Sequence, residues 1–160
     1  MIRSMLHFLR GLFSLIVMGA STVVHAIFMI PFTLLKLVVP NSRVKDWTRR
    51  CLASIAESWI SVNNAVVSLQ GVLWDVDAPS TLNRKGCDLV NCNHQSWVDI
   101  LVLQKVFNRR LPFLRFFLKK ELIWVPVLGA AWWALDFPFM KRASSDQVRL
   151  KPSLKGKDLE

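Results

Sequence analysis

The feature that most restricts this chain is a stretch without Asp, Glu, Lys or Arg from residue 11 to residue 35, GLFSLIVMGASTVVHAIFMIPFTLL, bounded by Arg10 and Lys36. As a helix it reaches roughly 37 Å at about 1.5 Å per residue, more than the roughly 30 Å hydrocarbon core of a bilayer. A cleaved signal peptide has a shorter apolar region, about 7–15 residues, that ends in a small-residue cleavage site. Here the apolar stretch is longer and runs on into Pro-Phe-Thr-Leu-Leu-Lys, so it reads as an uncleaved anchor over residues 1–40. Pro31 is expected to kink or end the helix, which leaves a bent span and a re-entrant hairpin both open. His25 is expected to be neutral and to face another helix, because a charged ring is costly in lipid.

Charge points the same way. Arg43, Lys45, Arg49 and Arg50 follow the anchor with Asp46 as the only acid among them, a flank that the positive-inside rule places in the cytoplasm. The net charge of +10 calls for anionic partners such as phospholipid headgroups, phosphorylated substrates or nucleic acid. With 52% hydrophobic residues and basic residues scattered through apolar segments, membrane phospholipid is the favoured partner, and no nucleic acid is expected. Cys87, Cys92 and His94 offer only three clustered candidate ligands, too few for a tetrahedral zinc site. No metal is therefore expected, and Cys51, Cys87 and Cys92 read as free buried thiols in a reducing compartment.

Beyond the anchor, periodicity predicts a helix over residues 46–63 with Trp47, Cys51, Ile55, Trp59 and Val62 on one stripe. Residues 65–74 read as a strand, 78–86 as a polar loop, 87–92 as a short buried strand and 96–107 as a helix. Strands are expected over 115–118 and 137–140, with a helix over 120–135 whose regularity Pro126 and Gly129 limit. From Ala143 the chain is polar and basic, without apolar periodicity. Alternating strands and helices make this an α/β pattern behind an N-terminal membrane helix.

The chemistry-bearing stretch is Asn93-His94-Gln95-Ser96-Trp97-Val98-Asp99. On one continuous helix His94 and Asp99 would lie about 140° apart and could not meet. If the helix instead begins at Ser96 as N-cap, Asp99 falls in its first turn and faces back toward the loop that carries His94. A carboxylate there can accept from one imidazole nitrogen and leave the other as a base for a bound alcohol. Spacing alone leaves a second reading open, because Ser96-x-x-Asp99 is also a capping pattern for a helix start.

The same stretch resembles the NHxxxxD signature of the glycerolipid acyltransferases, the PlsC-like lysophosphatidic acid acyltransferase family. Lys119-Lys120-Glu121-Leu122 with Pro126 and Gly129 resembles that family's K-x-E-L…P…G segment, and Phe137-Pro138-Phe139-Met140-Lys141-Arg142 its strand ending in Arg. The resemblance covers residues 65–142 and implies an acyltransferase domain over 41–160 on the cytoplasmic face of a bacterial inner membrane. It implies transfer of a fatty acyl group from acyl-CoA or acyl-carrier protein to the free hydroxyl of a lysophospholipid, with no cofactor. His94 would be the general base, Asp99 its orienting partner, and Arg142, assisted by Lys141, the holder of the acceptor's phosphate.

The chain departs from the family at Asp136, where Gly is usual, and at Lys141, where an acid is usual, which bears on acceptor choice. The family's later Glu-Gly motif is not in the sequence, so an N-terminal fragment is expected, and an inactive membrane-associated fragment is the alternative function. Lys119 and Lys120, with Arg109, Arg110 and Arg115, read as a solvated or lipid-facing basic surface ahead of a clamp for the acyl donor. Residues 124–133 read as core or membrane-interface packing ahead of an acyl tunnel.

Overall fold

The computed structural model describes residues 2–77, 82–93 and 95–141. The chain divides into two compact units, Met1–Leu114 and Arg115–Glu160. The first is built on a helical hairpin. Helix α1 runs over Ile2–Val38 and carries Lys36 in its last turn, where a cation complements the helix dipole. From Ser4 onward it is long and apolar enough to cross a membrane. The helix does not end at Pro31, which was expected to kink or stop it. Proline removes one ladder bond, but packing secures both flanks here: Met29 is buried, and Phe32 meets Trp47 with ring centroids 5.7 Å apart.

Helix α2 (Ser42–Ser68) begins at Asn41, whose Oδ1 accepts from the amides of Arg43 (2.9 Å) and Val44 (3.4 Å). It returns antiparallel along α1. Phe32 meets Trp47, Trp59 Nε1 donates to Thr22 Oγ1 at 3.0 Å, and Gln70 Nε2 donates to Ser14 Oγ. The covered stripe of α1 is Ser14, Met18, Ser21, His25, Met29, Phe32 and Lys36, a helical period over its whole length against α2. On the opposite side Phe13, Ile16, Val24, Ile27 and Leu34 stay exposed.

The buried face of α2 is Thr48, Leu52, Ala56, Ile60, Asn63 and Val66, one residue away from the expected stripe. Trp47 is exposed, and Cys51, Ile55, Trp59 and Val62 are only half-buried. The shift follows from α2 being covered on two sides, by α1 and by α3 (Val98–Phe107). Lys105 Nζ of α3 donates to Ser68 Oγ (2.6 Å) and the Asn64 carbonyl (3.3 Å). Asn108 Nδ2 reaches Ser61 Oγ (3.1 Å) and the Glu57 carbonyl (3.3 Å). Glu57 is buried and accepts from Arg84 Nη2 at 2.5 Å.

Two expected strands of this unit do not form. Residues 65–68 finish α2, held by the burial of Val66 and by Ser68 Oγ donating to the Asn64 carbonyl, and Gly71 at φ 73° takes the chain out of the helix. Residues 87–92, expected as a buried strand, are irregular and largely exposed, Leu89 to 88%. A strand needs a neighbour for its amides and carbonyls, and the segment that would have supplied one is helix and turn. Cys87 and Cys92 are exposed for the same reason, not buried, while Cys51 is half-buried.

The second unit holds a small parallel sheet, β1 (Leu118–Lys119) beside β2 (Phe139–Met140), with Leu118 opposite Phe139 and Lys119 opposite Met140. Between them lie a 3₁₀ helix (Lys120–Trp124) and α4 (Leu128–Ala134), so the expected single helix over 120–135 is broken at Pro126. Gly129 makes the junction possible: a Cβ there would stand 2.1 Å from the Ile123 carbonyl oxygen. Val127, at φ 66° and ψ −56°, is the centre of a γ-turn closed by Leu128 N donating to the Pro126 carbonyl at 2.7 Å. The molecule is therefore helix-rich, and in place of the α/β pattern with four strands expected its described residues pair only as this two-stranded parallel sheet.

Candidate active site

Asp99 occupies the first turn of α3. Its Oδ2 accepts from the backbone amides of Gln95 (2.6 Å) and Ser96 (2.7 Å). Ser96 Oγ in turn accepts from the Val98 amide (3.2 Å), and the Asp99 amide donates to the Ser96 carbonyl (3.0 Å). The helix starts at Val98 with Trp97 at the N-cap, already in helical conformation and making no side-chain cap bond, so Ser96, the expected N-cap, stands one position before it. The carboxylate thus clasps the turn that follows position 94 and sits on the positive end of the α3 dipole.

This geometry is the capping arrangement that spacing allowed, and it does not exhaust the group. A carboxylate has about four acceptor sites on its two oxygens, so two amides on Oδ2 are compatible with orienting an imidazole as well. His94 lies outside the described residues. Of the residues near it in sequence, Asn93 and Gln95 are exposed, and Trp97 is 72% exposed. Among the described residues no three of His, Cys, Asp and Glu gather as a metal would require.

Arg142 also lies outside the described residues. Lys141 is described, exposed immediately after β2. Because β1 and β2 are parallel and in register, Lys119 and Lys120 leave the carboxyl edge of β1 where Lys141 leaves that of β2. All three are exposed. Ligands of parallel sheets sit outside the carboxyl ends of the strands, and these three lysines lie along the chain at that edge. The exposure of Lys119 and Lys120 agrees with the solvated or lipid-facing surface expected of them. Arg115, three residues before β1, donates from Nε to the Leu135 carbonyl at 2.8 Å and ties this segment to the end of α4.

The chain belongs to the acyltransferase family: the family model "Acyltransferase" matches residues 75–155, just over half of the sequence and including every site residue discussed above. No curated protein and no solved structure matches the chain at a significant level.

Proposed function

We propose that the protein is a membrane-bound enzyme that moves a fatty acyl group from an acyl thioester, acyl-CoA or acyl-carrier protein, to the free hydroxyl of a lysophospholipid. The observation that carries this reading is the Asp99 carboxylate, fixed by two amides of the turn that adjoins His94. In the reaction His94 takes the proton from the acceptor hydroxyl as its oxygen attacks the thioester carbonyl. The ester C–O bond forms, the C–S bond breaks, and the proton passes to the departing thiolate. Asp99 holds the imidazole tautomer and steadies the transient imidazolium. Lys141 and Arg142 bind the acceptor phosphate, and the placement of Lys119 and Lys120 beside Lys141 supports a seat of several cations rather than one.

Residues 1–40 serve as the membrane anchor and residues 41–160 as the acyltransferase domain, on the cytoplasmic side of a bacterial inner membrane. The packing of α1 favours an orientation in the plane of the leaflet over a perpendicular span. One stripe of α1 is covered by α2, and α2 carries α3 on its other side. A perpendicular α1 would carry Glu57 of the helix packed against it, and its partner Arg84, toward hydrocarbon, where ionised groups are costly. In plane, the exposed apolar face of α1 sinks into the leaflet and the site stays wet at the surface.

The test is an acyl-transfer assay on the detergent-solubilised protein, with labelled acyl-CoA and acyl-carrier protein as donors and a panel of lysophospholipid acceptors. Acylation of lysophosphatidate is expected, and His94→Ala should lower it by about a hundredfold or more. A folded protein that acylates none of the panel with either donor would overturn the reading.

A further inference from the structure

One apolar surface is accounted for neither by the core nor by the active site. The stripe of α2 that reads as core in the sequence, Trp47, Cys51 and Ile55, is only partly covered by α1. With Phe28 and Phe32 of α1 it lines an open groove of about 610 Å³ along the hairpin seam, with Arg50 at its rim. That volume lies within the roughly 300–1,000 Å³ typical of small-ligand sites. From Trp47 to Ser58 the groove follows α2 for roughly 16 Å, the reach of most of one fatty acyl chain.

We propose that this groove binds one anionic bilayer phospholipid, its phosphate on Arg50 and one acyl chain along Phe28, Phe32 and Ile55, at a site separate from the candidate active site. The proposal rests on the membrane reading of α1 and is independent of the acyl-transfer reading. Three observations select this occupant.

The first is charge. The Nε of Arg50 donates to the Asp46 carbonyl at 3.3 Å, while the Asp46 carboxylate is taken by Arg49 at 3.1 Å. The one nearby acid is thus engaged elsewhere. Arg43 and Lys45 add positive potential on the same short stretch, which favours an anionic headgroup over a zwitterionic one. The second is polarity. One wall is α1, whose outer face is apolar throughout, and the other is the wet, cationic first half of α2. A groove between such walls matches a molecule with an apolar chain and a charged head. The third is the inner wall of the groove, where His25 Nδ1 donates to the Ser21 carbonyl at 2.7 Å and the Phe32 and Trp47 rings meet at a tilt of 54°. That ring N–H is already bonded within α1, so an acyl chain laid along the groove does not strand it.

The experiment uses the full chain in vesicles that contain a trace of phosphatidylglycerol bearing a diazirine on its acyl chain, and in parallel the matching phosphatidylcholine probe. After irradiation, labelled peptides are mapped. The phosphatidylglycerol probe should label residues around Phe28, Phe32 and Ile55 above the outer face of α1, and unlabelled phosphatidylglycerol should compete where phosphatidylcholine does not. Arg50→Gln should lower that labelling about tenfold, the effect of losing one charge-assisted contact. Ser54→Trp, which fills the groove from its exposed rim, should lower it as well, with acyl transfer unchanged in both variants. Flotation with the vesicles is scored alongside. Labelling spread evenly over α1, uncompeted and insensitive to both variants in protein that still floats, overturns the groove alone. Failure to float overturns the membrane reading and the groove with it.

Discussion

Asp99→Asn separates the two roles that the structure allows the carboxylate. Its Oδ2 accepts two backbone amides, from Gln95 at 2.6 Å and Ser96 at 2.7 Å. A neutral hydrogen bond contributes about 1 kcal/mol net, and one to an ionised acceptor about twice that. Asn keeps an acceptor oxygen in nearly the same place, so it forfeits roughly 1 kcal/mol per bond at most, together with about 0.3–1 kcal/mol of attraction to the α3 dipole. Both amides belong to exposed residues, where water replaces part of the loss, so stability should fall by about 1–2 kcal/mol. The catalytic role predicts a different scale. Without the negative charge the imidazolium formed during proton transfer is unsupported and its tautomer is free, a defect worth about a hundredfold to ten-thousandfold in rate. A hundredfold is about 2.7 kcal/mol in the barrier. The assay compares kcat/KM for lysophosphatidate acylation with thermal unfolding in the same detergent, and with hydrogen exchange at Gln95 and Ser96. The expected outcome is a nearly native fold, with both amides still protected, and a rate at least about a hundredfold down. A variant that keeps its rate to within about threefold would show Asp99 to be a cap only, since Asn caps about as well as Asp.

Two further outcomes follow from packing. Gly129→Ala places a methyl carbon 2.1 Å from the Ile123 carbonyl oxygen and 2.6 Å from its carbon, both backbone atoms that cannot swing aside. It should destabilise the second unit by about 1–3 kcal/mol, read as a lower melting temperature and faster proteolysis between residues 120 and 135; an unchanged melt would refute the close approach. For the membrane arrangement, carbonate washing should leave the protein in the membrane. An impermeant thiol reagent should reach cysteines placed at Ser4 and at Asn41 from the same side, whereas labelling from opposite sides would restore a perpendicular span.

The apolar helix, the helix before Phe107 and the Asn-His-x4-Asp stretch were legible in the sequence because each rests on local information: a run without charges, a short periodic segment, a motif of fixed spacing. Pro126 and Gly129 were legible as limits on the helix over 120–135, since proline and glycine act through their own backbones, although the full break there was not. Pro31 shows the limit of that rule, because packing against α2 carried α1 through it. Residues 65–74 and 87–92 are the complementary case. Their β-branched and apolar residues fit a strand, but a strand exists only with a partner, and once α2 extended to Ser68 the partner was gone. The stripe of Trp47, Cys51 and Ile55 has the correct helical period, yet periodicity cannot say which neighbour covers which face. Two helices against α2 moved the buried face by one residue and left that stripe on an open groove. Likewise Lys119, Lys120 and Lys141 are separate surface charges in the sequence, and only the parallel register of β1 with β2 brings them to one edge. Residue types and spacing determined which groups can do chemistry, whereas pairing between distant segments decided where those groups meet, because a hydrogen-bonded ladder or a helix seam is a property of two segments at once.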